Sequence, residues 1–150
     1  MRDGKDLASR WDILLVIAAG GALGSLARWG LGEALADNGG DFPWATFLEN
    51  VTGAFTLGVL MVFVVDVWPP TRYVGPFLGI GLLGGYTTFS AYMLDTRELV
   101  DTGRASLAAV YLFGTLGLGL VAVWLGIVLA RLAVALARDG RRRHHTRRVP

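Results

Sequence analysis

The sequence predicts an all-α membrane protein with four transmembrane helices, the third of them broken. Three observations carry that prediction. Of 150 residues, 53% are hydrophobic and only 17% are charged, with a mean hydropathy of +0.51, too apolar for an ordinary soluble domain. The apolar residues gather into four runs, each long enough for a hydrocarbon core of about 30 Å, which takes roughly 20 helical residues. Glycine is abundant, at 21 residues without a collagen-like period, as in helices that pack closely inside a bilayer. The runs do not alternate, which argues against a transmembrane β-barrel. The chain has no cysteine, so disulfides and thiolate metal sites are excluded.

The first span runs from about Ile13 to Leu35. Its glycines, its late Arg28 and the three further runs set it apart from a signal peptide. Arg28 lies about 24 Å along the helix from Asp12. It either snorkels to mark the helix end or places a fixed positive charge at a vestibule, where it raises the local anion concentration.

The second span, about Trp44 to Val67, opens with Asp41 as a cap, Pro43 in the first turn and Trp44 at the interface. Asn50 is then about 9 Å deep, in the same half of the membrane as Arg28. Its amide offers two donors to an anion, or makes an interhelical bond that sets register. Glu49 points elsewhere on the helix, as a proton-handling carboxylate or a group facing a wet vestibule.

The third span, about Tyr73 to Leu94, contains "GLLGGYTTFSAY". Gly84 and Gly85 lower the cost of leaving helical geometry, and Thr87 and Thr88 offer hydroxyls to the freed backbone groups. A break there turns carbonyl oxygens toward a cation and leaves a helix N-terminus that favours an anion. Phe89 and Tyr92 share a face of the resumed helix, where ring edges can line an anion path without trapping the ion. The fourth span, about Ser106 to Ala137, is interrupted only by Arg131. Tyr111, Thr115 and Gly119 fall on one of its faces, as a thin polar track or as hydroxyls bonded to neighbouring helices. "GALG" and "GTLGLG" are small-residue surfaces, for packing within the chain or between chains.

The chain divides into an N-terminal segment, 1–12, a membrane domain, 13–137, and a basic tail, 138–150. With four spans both termini share a side. Eleven Lys and Arg fall on that side and three, Arg28, Arg97 and Arg104, on the other. The bias places both termini in the cytoplasm of a multi-pass protein of the plasma (inner) membrane. The tail "RDGRRRHHTRRVP" has no interleaved aromatics and suits anionic lipid head groups better than nucleic acid. His144 and His145 are a weak metal signal. No enzyme is indicated: "GGALGS" lacks the lysine of a phosphate loop, and Ser90 has no base near it in sequence.

Three stretches together resemble the small fluoride channels of the Fluc (CrcB) family: "GGALGSLAR" from Gly20, "FPWATFLENVTGAF" from Phe42, and "GLLGGYTTFSAY" from Gly81. The tyrosine-led fourth span also fits, and the resemblance covers about Ile13 to Ala137. It implies an antiparallel, dual-topology-type dimer with two passive fluoride pathways at the subunit interface. It implies a structural sodium ion (Na+) on the dimer axis, held by the backbone carbonyls of Gly84 and Thr87. Asn50 matches the pore asparagine, Arg28 the vestibule arginine, and Phe89 the first of two pore phenylalanines. Tyr111 and Thr115 fall on the polar track, while Gly85, Thr88 and Ser90 support the break. The chain departs from the usual "TTFSTF" with "TTFSAY", so Tyr92 replaces the second phenylalanine, and Gly119 stands where the track often continues with a hydroxyl.

The 11-to-3 charge split points to a heterodimer with an oppositely oriented homologous subunit, with a homodimer as the alternative. Two competing functions have different requirements. A proton-coupled multidrug-type exporter wants a membrane carboxylate at its binding site, for which only Glu49 is near. A non-transporting structural subunit would tolerate loss of Asn50 and Phe89.

Overall fold

The computed structural model describes residues 3–35, 42–69 and 71–146, with side chains over 10–35, 42–69 and 71–138. The elements are α1 (Asp3–Leu35), α2 (Trp44–Val62), a π-helical continuation π1 (Phe63–Val67), a π-helical stretch π2 (Pro76–Leu83), a short turn α3 (Gly84–Tyr86), α4 (Phe89–Asp101) and α5 (Ala105–Thr146). Four helical stretches are long and apolar enough to cross a membrane: Arg10–Leu35, Trp44–Val67, Pro76–Asp101 and Ala105–Arg138. The expected four-span, all-helical architecture is what the structure has, and no strand occurs among the described residues. The third span sits further toward the C-terminus than expected, because α4 continues to Asp101. The side chains of the basic tail beyond Arg138, His144 and His145 included, lie outside the described residues, although the α5 backbone runs on to Thr146.

α2 starts differently from the expectation. Pro43 is the N-cap itself, one position before the first turn, and its ring offers no side-chain bond. Asp41, the expected cap, lies outside the described residues. The turn is closed instead by backbone bonds, Trp44 N–H to the Phe42 carbonyl (2.8 Å) and Phe47 N–H to the Pro43 carbonyl (3.1 Å).

The spans pack as two pairs joined by α2 and the break: α1 against π2 and α3, and α2 along α5, with α4 also on α5. Both long seams are backbone-to-backbone contacts, which glycine alone permits. On the first seam, a β-carbon at Gly24 would overlap the Leu82 carbonyl oxygen, and one at Gly85 would lie 2.5 Å from the Gly21 oxygen. On the second, Gly58 faces the Val123 carbonyl and Gly126 the Phe55 carbonyl. By contrast, among the described residues nothing lies within 4 Å of where a β-carbon would sit at Gly114, Gly117 or Gly119, so these glycines of "GTLGLG" serve neither seam.

The two ends of the bundle are tied by polar contacts. At one, Asp12 of α1 accepts from Arg72 (2.9 Å) and from the Tyr73 hydroxyl (2.8 Å). The bond to that carboxylate holds the Tyr73 phenol above its ordinary range. At the other, α4 stops at Gly103, whose φ of 77° closes a Schellman turn. Gly103 N–H bonds to the Val100 carbonyl (2.9 Å) and Arg104 N–H to the Leu99 carbonyl (2.8 Å).

Candidate functional site

The third span breaks at its threonines, not at its glycines. Gly84 has helical φ and ψ of −65° and −32°, whereas Thr87 (−83°, 157°) and Thr88 (−148°, 122°) are extended. Gly85 serves the seam with α1 rather than the bend. The physical reason is local. Thr87 ends the first half by giving both its N–H (3.0 Å) and its hydroxyl (2.9 Å) to the Leu83 carbonyl. Thr88 begins the second half as an N-cap, its Oγ1 accepting from Ala91 N–H (3.2 Å). Ser90 Oγ lies 3.3 Å from the same oxygen.

α2 receives this break. The Asn50 Oδ1 accepts from Thr88 N–H (2.9 Å), and its Nδ2 donates to the Thr88 carbonyl (3.0 Å). One turn on, Gly53 leaves room for the Thr87 methyl group, which a β-carbon there would overlap. Thr52, whose hydroxyl bonds the Leu48 carbonyl (2.5 Å), lies 2.9 Å from the Tyr86 hydroxyl.

These bonds redirect the ladder. In an unbroken helix, Thr88 N–H would bond the Gly84 carbonyl and Ala91 N–H the Thr87 carbonyl. Both donors go elsewhere, so the Gly84 and Thr87 carbonyls are released from those bonds. Gly84 is also exposed, with nothing within 4 Å of where a side chain would begin.

Beside the break is an open cleft of about 390 Å³. Asn50, Thr87, Thr88, Phe89, Tyr92 and Thr115 line it, together with apolar residues of α2 and α5 and Gly119. Thr115 is 6% exposed, and its Oγ1 is buried without a hydrogen-bond partner among the described residues. Such a group normally has one. Asn50 keeps a second Nδ2 hydrogen beyond the one given to Thr88. Phe89 is 74% exposed and meets the Tyr92 ring edge-on, centroids 6.1 Å apart. The Tyr92 hydroxyl bonds the Leu112 carbonyl of α5, so the departure from phenylalanine ties α4 to α5.

Tyr111 does not line the cleft. It is fully buried one turn away on α5, packed against Phe42 and Tyr92 with ring centroids 5.4 Å from each. Its hydroxyl donates to Asp95 (3.1 Å). Glu49 is also buried, at 4% exposure, so it does not face a wet vestibule as one sequence reading allowed. Burial dominates its surroundings, and among the described residues Arg28 of α1 and Asp95 of α4 are the charges near enough to act on it. Arg28 is half-buried and stands apart from the cleft lining. Sequence reasoning gave Asp95 no role. Its signal was a carboxylate three residues after Tyr92 in an apolar span, where an ionisable group needs a reason to be there.

Four spans, one of them broken beside an open cleft, define a small helical membrane protein. The chain belongs to the CrcB family: residues 15–127 match the family model described as CrcB-like protein, Camphor Resistance (CrcB). It is similar to "Fluoride-specific ion channel FluC 3" of Streptomyces avermitilis, 45% identical over 141 residues, 91% of this chain and 69% of that one. It is similar to "Fluoride-specific ion channel FluC 2" of Nocardia farcinica, 48% identical over 126 residues, covering 84% and 90%. It is also 42% identical over 127 residues to "Fluoride-specific ion channel FluC" of Rhodospirillum centenum, covering 82% and 98%.

Proposed function

We propose that this chain is a fluoride-selective ion channel through which cytoplasmic fluoride leaves passively, lowering its toxicity. The carrying observation is the Thr115 hydroxyl, buried and without a partner among the described residues, in a cleft it shares with Asn50 and Phe89. The relatives named as fluoride-specific channels supply the ion. Ion channels are not enzymes, in line with the sequence reading.

The physical problem is desolvation. Fluoride is small and strongly hydrated, so its water must be replaced in steps by other donors. The Thr115 hydroxyl, the remaining Asn50 hydrogen and the ring edges of Phe89 and Tyr92 form such a series. Among the described residues no lysine, arginine or carboxylate lines the cleft, so none of them puts a full charge there that would trap or repel the anion. Arg28 concentrates anions at a distance, and Tyr111, buried with its hydroxyl held by Asp95, backs the track from inside α5 rather than lining it. The absence of a carboxylate from the lining also disfavours the proton-coupled exporter.

The cleft is open along one side, and a second subunit of opposite orientation would close it over the exposed Phe89. The charge split favours a homologous partner of opposite bias over a second copy of this chain, with both termini in the cytoplasm and the protein in the plasma (inner) membrane. The Gly84 and Thr87 carbonyls, released from the helical ladder, fit a sodium ion, a hard cation that takes oxygen ligands. Bound there, the ion would supply fixed positive charge holding two breaks together.

The test is fluoride efflux from proteoliposomes, with the chain alone and with a co-expressed homologue, against chloride and without a proton gradient. Selective fluoride efflux that needs no proton gradient is expected. Equal chloride passage, or a requirement for a proton gradient, overturns the reading.

A further inference from the structure

We infer that the end of α5 forms a specific site for the phosphate of an anionic phospholipid, built by Arg131 and Arg138 against π1. Both arginines line one cleft of about 310 Å³, with Asp66, Val62, Val134 and Ala135. They stand two helical turns apart on one face of α5, so they present two guanidinium groups to the same concavity. Arg138 is the last residue of the apolar span, and Arg131 is about 10 Å deeper. That range covers the boundary between head groups and acyl chains.

Asp66 is the counter-charge in the cleft, and it holds the pair loosely. The Arg131 Nε is 3.6 Å from Asp66 Oδ2, beyond hydrogen-bond length. Arg138 makes one bond, Nη2 to the main-chain carbonyl of Asp66 (3.1 Å), and none to its carboxylate among the described residues. Each guanidinium carries five N–H donors, in a fork that matches a phosphate's oxygens. Two cations against one carboxylate leave one net positive charge, and Val62, Val134 and Ala135 give an apolar wall for the glycerol and upper acyl chain. Snorkelling accounts for one arginine at a membrane boundary. It does not account for two converging on one cleft that their own carboxylate leaves unsatisfied. A zwitterionic lipid brings its own cation into that field, so the site prefers an anionic head group.

The test is native mass spectrometry of the full chain in detergent, titrated with phosphatidylglycerol or phosphatidylcholine, with inorganic phosphate as competitor. Retention of phosphatidylglycerol over phosphatidylcholine is expected. Arg131→Gln and Arg138→Gln should each weaken it ~5-fold and together ~30-fold, at about 1 kcal/mol per arginine. Asp66→Asn, which removes the competing charge and keeps both arginines, should strengthen it. A tail variant, Arg141→Gln/Arg142→Gln/Arg143→Gln, should leave the preference in place. Equal retention by the double variant, weaker retention by Asp66→Asn, loss of the preference in the tail variant alone, or phosphate binding without lipid preference each overturns the site. None of these readouts involves fluoride, so the lipid site and the channel stand or fall separately.

Discussion

Asn50 and Thr88 bind each other as residues on paired strands do, with the asparagine side chain acting as the second strand: Oδ1 takes the Thr88 N–H at 2.9 Å and Nδ2 reaches its carbonyl at 3.0 Å. A side-chain amide carries an acceptor and a donor side by side, so one side chain satisfies both the N–H and the carbonyl of the same residue. The extended pair Thr87–Thr88 would otherwise leave backbone groups unpaired inside a bilayer, at several kcal/mol each.

Asn50→Ala is therefore expected to lower both fluoride efflux and stability, by about 2–4 kcal/mol for two orphaned backbone groups. Thermal unfolding in detergent alongside proteoliposome flux checks this. An unchanged unfolding temperature would contradict the pairing.

Thr115→Val separates function from folding. The substitution keeps shape and removes only a hydroxyl that bonds nothing among the described residues. Stability should hold or rise, because no buried hydrogen bond is lost. Efflux should fall at least ~10-fold, as one charge–dipole bond of about 1.5–3 kcal/mol is missing from the path.

Tyr92→Phe should cost about 0.5–1.5 kcal/mol, the net worth of its bond to the Leu112 carbonyl, and leave efflux within ~3-fold of the parent. Tyr92→Ala removes the ring as well and should abolish efflux. A Phe variant as inactive as the Ala variant would move the role from ring edge to hydroxyl.

Gly24→Ala should destabilise the first seam by about 1–3 kcal/mol, since its β-carbon meets the Leu82 carbonyl rather than a movable side chain. Gly117→Ala, with nothing within 4 Å, should leave the unfolding temperature of the isolated chain unchanged. If Gly117→Ala instead weakens subunit association on a sizing column, the "GTLGLG" face is part of an interface.

Much of the fold was legible because membrane spans announce themselves by length and composition, and all four were read from the sequence. The location of the break was misjudged by its own signal. Glycine marks both flexibility and close approach, and only the placement of α1 shows that Gly85 serves approach while Thr87 and Thr88 make the bend. The cleft residues Asn50, Phe89, Tyr92 and Thr115 were named from motif and helical face, and the structure brings them together. What they do there was less visible. That Asn50 engages backbone depends on how α2 meets the break. Glu49 is buried at 4% exposure although it lies in the middle of an apolar run, and nothing in its local sequence marks that.

α5 has one further consequence. Its 42 residues make a rod of about 63 Å, roughly twice the hydrocarbon thickness, and its apolar part stops at Arg138. The eight residues beyond it, about 12 Å of helix, extend past the apolar span as a short mast. A pair of oppositely oriented subunits would carry one mast on each face, whereas a same-way pair would carry both on one. The silhouette of the purified assembly in projection images thus reports the orientation of its subunits without any label.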